Sequence, residues 1–92
     1  MNTLQTIREL EAAALDTSRD LWRVWEYFYT HTGTTLDCAF DTGILRNCIT
    51  VYVIRLEERG LIEVMYKAKD RRTGWPAKHY SSDPEKWKRR KI

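Results

Sequence analysis

Residues 55–80, RLEERGLIEVMYKAKDRRTGWPAKHY, constrain this chain more than any other stretch. They read as a helix end, a glycine stop, and a strand that runs into a basic hairpin tip and returns. Leu56, Leu61, Ile62 and Val64 are spaced to pack inward, while Lys67, Lys69, Arg71, Arg72 and Lys78 gather around a turn containing Gly74 and Pro76. Charge follows the same division. Residues 1–64 hold 6 Lys and Arg against 10 Asp and Glu, whereas residues 65–92 hold 10 against 3, so the net charge of +3 hides a strongly basic C-terminal part. Such a local concentration is what a polyanion-binding face requires, in contrast to a uniformly cationic surface.

The 92 residues suffice for one domain with a single core, and four Trp, five Tyr and two Phe are available to fill it. No apolar run reaches the length of a membrane span, and MNTLQTIREL carries the acidic Glu9 where a signal peptide would have its apolar centre, so a cytoplasmic protein is expected. Cys38 and Cys48 match neither a zinc-binding nor a Cys-x-x-Cys spacing, which leaves no metal or other cofactor expected. No small-molecule ligand is evident. Neither His31 nor His79 stands at a diagnostic distance from a nucleophile or acid, and Asp16, Asp20, Asp37 and Asp41 fall near helix ends, where capping explains them. An enzyme is not expected.

Along the chain, Leu4, Ile7, Leu10, Ala14 and Leu15 predict an amphipathic helix within residues 1–16, suited to cover the core or to meet a second subunit. Thr17 or Ser18 then caps a second helix bearing Leu21, Trp22, Val24, Trp25, Phe28 and Tyr29, an aromatic stripe expected in the core and stopped by Gly33. Thr34 and Thr35 cap a short helix from Leu36 to about Phe40, followed by the turn Asp41, Thr42, Gly43. The next helix, residues 45–59, faces inward with Leu45, Ile49, Tyr52 or Val53, and Leu56, and leaves Val51 and Ile54 outside that stripe. Gly60 ends it in a left-handed conformation. Residues 62–69 and 77–81 form the hairpin, with Pro76 tolerated at a strand edge. Asp83-Pro84-Glu85 opens a short basic helix or tail over residues 83–92. The fold expected is mainly α with a small β-hairpin, its main domain covering residues 17–82.

Within residues 35–53, Ala39 and Gly43 stand four apart, Ile44 follows directly and Ile49 lies five further on. A small residue lets the second helix cross closely and Gly takes the positive φ of the tight turn, the pattern of a helix-turn-helix. With RLEERGLI, KDRRTG and GWPAKHY downstream, residues 18–82 resemble the winged helix-turn-helix superfamily of DNA-binding proteins, MarR-like regulators among them. Trp75 departs from that pattern, which usually carries Arg there.

The resemblance implies a sequence-specific binder of double-stranded DNA, a small prokaryotic or phage transcriptional regulator acting as a homodimer, with helix 45–59 in the major groove and a wing over residues 66–80 on the backbone or minor groove. Arg46, Asn47, Thr50 and Arg55 lie opposite the inward stripe, where Arg can fork onto guanine and Asn onto adenine. Thr42 is placed to donate to phosphate, Arg71 and Arg72 to reach phosphate or the minor groove, and Lys69 and Lys78 to support them. The alternative is a protein-interaction module on the same fold, using the apolar helix face and Trp75 as anchors. RNA is a further candidate partner, with Tyr66, Trp75 and Tyr80 suited to stack on single-stranded bases, although the core aromatics of a hairpin look the same in sequence.

Overall fold

The computed structural model of the chain describes residues 18–89; the helix expected within residues 1–16 and the end of the basic tail lie outside them. Helix α1 (Ser18–Thr30) is followed by α2 (Thr35–Thr42), α3 (Arg46–Glu58), the strands β1 (Glu63–Lys69) and β2 (Pro76–Ser81), and α4 (Pro84–Arg89). The chain is thus mainly helical with one antiparallel hairpin, as the sequence predicts. Among the described residues no helix is long and apolar enough to cross a membrane.

Leu21, Val24 and Phe28 recur at helical spacing on α1 and turn one stripe inward. Ile49, Tyr52, Val53 and Leu56 of α3 meet them, and Cys38, Ile44 and Ile62 close the cluster. The aromatic stripe expected in the core divides instead. Trp22 and Tyr29 each follow an inward residue by one position, a rotation of about 100° that carries them to the surface. There Trp25 bridges them, its ring centroid 6.2 Å from that of Trp22 and 5.3 Å from that of Tyr29. A second departure concerns α3. Val51 is 8 % exposed, buried although outside the central cluster, and Ile54 is half-buried, so this helix does not present a bare apolar outer face.

Helix ends are set by hydrogen bonds that the sequence supplies. The Thr34 hydroxyl accepts the Asp37 N–H and the Asp37 carboxylate accepts the Thr34 N–H, both at 3.0 Å, a reciprocal cap at the start of α2. At the other end Gly43 takes φ 78° and donates its N–H to the Ala39 carbonyl, turning the chain into α3. Gly60, at φ 70°, ends α3 in the same way.

Gly33 plays a different part from the one expected. Helix α1 has already ended at Thr30, and Gly33 forms an extended bridge with Tyr80, donating at 3.3 Å and accepting at 2.7 Å. Strand β2 is therefore hydrogen-bonded on both edges, to β1 and to this bridge. A Cβ on Gly33 would lie 2.6 Å from Asp37 Oδ2, the carboxylate that caps Thr34. Glycine is needed here for close approach, not for a left-handed turn.

The hairpin contains one irregularity that governs its faces. Val64 pairs with Tyr80 but Tyr66 pairs with His79, so Met65 is an unopposed extra residue, a β-bulge. Beyond it, Lys67 pairs with Lys78 and Lys69 with Pro76. Tyr80 faces the core, where its ring meets Phe28 at 5.9 Å, and Lys78, two residues away, shares its face. Lys67 and Lys69 therefore join Lys78 on the α3 side. Tyr66 and His79 stack on the opposite side, 4.7 Å apart.

The Gly33→Ala variant is expected to lose about 1–3 kcal/mol of stability, because its Cβ displaces the Asp37 cap. An unchanged urea midpoint would show that the cap yields without cost.

Candidate nucleic-acid interface

Between the N-terminal half of α3 and the hairpin lies an open groove of about 460 Å³. Arg46 and Thr50, one turn apart on α3, form one wall, and Trp75, Pro76 and Lys78 form the other; Thr34 and Thr35 at the start of α2 close one end. The tight turn at Gly43 leads from α2 into the first turn of α3, and the bulge at Met65 sets Lys67 and Lys69 on the same face of the hairpin as Lys78. The N-cap position of α3 is Leu45, which supplies no side-chain cap, and among the first amides the Cys48 N–H is taken by Asn47 Oδ1.

The hairpin tip is held against α2 by two carboxylates. Asp70 is 3 % exposed, and its Oδ2 accepts the Thr34 hydroxyl at 2.7 Å. Its Oδ1 accepts the N–H groups of Arg72 and Thr73 at 2.8 and 3.2 Å. The Thr34 hydroxyl, with its single proton on Asp70, uses a lone pair for Asp37 N–H, which links the tip directly to the α2 cap. The Arg72 guanidinium pairs with Asp37 and covers the Phe40 ring at 4.5 Å. Across the tip, Asp70 N–H donates to Trp75 O at 2.8 Å and Gly74 N–H donates to Asp70 O at 2.7 Å, closing a rigid loop.

These contacts shift both carboxyls. Burial pushes Asp37 up, but the Thr34 N–H and the Arg72 guanidinium outweigh it and hold the group below its ordinary value. Asp70 is also held down, first by the Thr34 hydroxyl, against burial, and then by the Arg72 and Thr73 N–H groups and the Arg72 charge. Both tie the tip most firmly as anions.

The residues expected to contact a ligand separate into those on the groove and those engaged elsewhere. Arg46, Thr50 and Lys78 line it, and Lys69 shares the face of Lys78 by register. Arg71 carries the most open cation of the tip, its side chain 78 % exposed and 3.9 Å from Asp37. Asn47 is exposed on the first turn of α3, its side-chain oxygen accepting Cys48 N–H at 3.1 Å. Arg55 is half-buried, away from the groove. Thr42, expected to donate to phosphate, gives its single proton to the Cys38 carbonyl at 2.7 Å and accepts Ile44 N–H at 3.2 Å, so it caps the end of α2. Arg72, expected on the same ligand, already has Asp37 and Phe40 as partners.

Several groove residues lie outside the set of expected contacts, Thr34 and Thr35 among them. Lys67, named in the basic cluster of the hairpin but not among the expected contacts, shares the face of Lys78 by register. Thr34 and Thr35 were legible as caps but not as the end wall of a groove. Chemically, the groove offers cations, hydroxyls and a helix start whose N-cap residue is apolar on one side of the molecule, a setting for anionic oxygen. No protein-family model, curated protein or solved structure matches the chain.

Because the folded-state pKa values of Asp37 and Asp70 are depressed, their contribution to stability is fully present above the ordinary carboxylate value of 3.8 and is lost as pH falls through and below it. Acid titration of Asp70→Asn should accordingly show a weaker loss over this window than the wild type. Identical acid profiles for the two proteins would remove the carboxylate tie as the cause.

Proposed function

We propose that the chain is a DNA-binding domain of winged helix-turn-helix type, a small transcriptional regulator whose α3 enters the major groove of a duplex while the hairpin lies on the adjacent backbone or minor groove. The order α1, Gly33 bridge, α2, α3, β1, tip and β2 supports that fold. The observation that carries the functional reading is the direct cross-strand pair Lys67–Lys78, of which Lys78 lines the groove together with Arg46. Like charges opposite each other destabilise a hairpin, and a phosphate between the walls relieves that repulsion.

In this reading Arg46 and Asn47 read base edges, Thr50 accepts from a base donor, and Lys67, Lys69, Lys78 and Arg71 neutralise phosphates. Arg72 and Asp70 fix the tip that carries these cations. Two-fold operators call for a homodimer, with residues 1–16 and the outer face of α1 available for the contact. A second reading, a protein-interaction domain of the same fold, draws on the exposed Trp22, Tyr29, Phe40 and Leu45, since aromatic side chains anchor interfaces.

Salt dependence separates the two. About four to six phosphate contacts should weaken duplex binding by about 10²–10³-fold between roughly 50 and 200 mM salt. In the Lys67→Ala/Lys78→Ala double variant the slope of log K against log salt should flatten by about two for every sequence, whereas Arg46→Ala should lose about 1–3 kcal/mol at the preferred site alone. Absence of duplex binding at low salt would overturn the DNA reading.

A further inference from the structure

Trp75 is 75 % exposed, more than any other large hydrophobic side chain among the described residues, yet its backbone is tightly fixed. Its carbonyl accepts Asp70 N–H and its own N–H donates to Thr73 Oγ1 at 3.2 Å. Gly74 before it is held at φ 75°, and Pro76 after it has a ring-locked φ. The backbone ordering that a binding loop normally undergoes on association is already complete in the free protein. Trp75 also lines the same groove as Arg46, Thr50 and Lys78, so an exposed aromatic residue and cations share one site. Tyr66, the other exposed aromatic of the hairpin, is on the opposite side with its ring already stacked on His79.

We propose that Trp75 is a base-stacking residue and that the preferred ligand of the groove is duplex DNA with one base already out of the helical stack. This rests on the DNA reading above. A perfectly paired duplex shows its bases only by their edges, so it gives the indole no face to stack on until a step is opened. Opening is costly in an intact duplex and already accomplished at a bulge, which makes the bulged duplex the tighter ligand. The cations secure the backbone on either side while the indole covers the displaced base. Sequence tolerance at that base follows, because every base has a stacking face.

Three labelled DNA ligands test this: an intact duplex, the same duplex with a single-nucleotide bulge, and its single strand, each titrated at low salt with the full chain and with its Trp75→Phe and Trp75→Ala variants. The wild type is expected to bind the bulged duplex about tenfold more tightly than the intact one. That ratio should persist largely in Trp75→Phe and fall towards unity in Trp75→Ala, with circular dichroism confirming that both variants fold. Tryptophan emission should be quenched more by the bulged duplex in the wild type than in Trp75→Phe. Equal affinity for the two duplexes, or a preference that survives Trp75→Ala, overturns the stacking role while leaving DNA binding intact. A Trp75-dependent preference for the single strand overturns the duplex assignment. Failure to bind all three ligands overturns the DNA reading itself, and the stacking role with it.

Discussion

Asp70 is a carboxylate taken out of water at the base of a surface loop, an arrangement that costs on the order of several kcal/mol unless donors surround it. Here the Thr34 hydroxyl reaches it from 36 residues away in sequence, and two N–H groups of its own loop complete the shell. The rest of the groove follows from that contact. Thr34 is simultaneously the cap of α2, so the same hydroxyl starts a helix and anchors the hairpin tip. Asp37, the other half of the cap, fills the space that a side chain on Gly33 would need and pairs with Arg72. A small network thereby joins the start of α2, the Gly33 bridge and the tip, and it holds the tip against the end of the groove.

Much of this architecture is legible in residues 18–89 because its signals are local. Thr34 with Asp37 announces a helix start, Gly43 and Gly60 announce left-handed turns, and Asp83-Pro84 opens a helix that runs to Arg89. The failures are matters of how distant elements pack. Trp22 and Tyr29 look like core residues by composition, yet Leu21, Val24 and Phe28 take the inward stripe. Val51 reads as an outer residue but is buried. Gly33 resembles a helix stop, and only the position of Asp37 in space reveals the close approach.

The candidate site was legible to a similar degree, and for the same reason. Basic residues of the hairpin and the first turn of α3 could be named from their spacing, but their engagement could not. Arg72 and Thr42 look equivalent to their neighbours in sequence, although each is satisfied by a partner within the fold. Positioning and contact are thus divided among adjacent residues: Arg72 braces the tip, while Arg71 beside it extends towards solvent. A count of cations overstates the charge that the tip can offer an incoming anion.

The bulge at Met65 adds a further distinction between the amount of charge and its direction. Alternation along a strand has a parity, and one unopposed residue reverses it for everything that follows. Lys67 and Lys69 owe their side of the sheet to this reversal and not to their own identity. A chain of the same composition and isoelectric point, paired without the bulge, would carry these two cations on the opposite face. Electrophoretic or isoelectric measurements would not tell the two apart, since they weigh the charge of the molecule and are blind to the side from which it is presented.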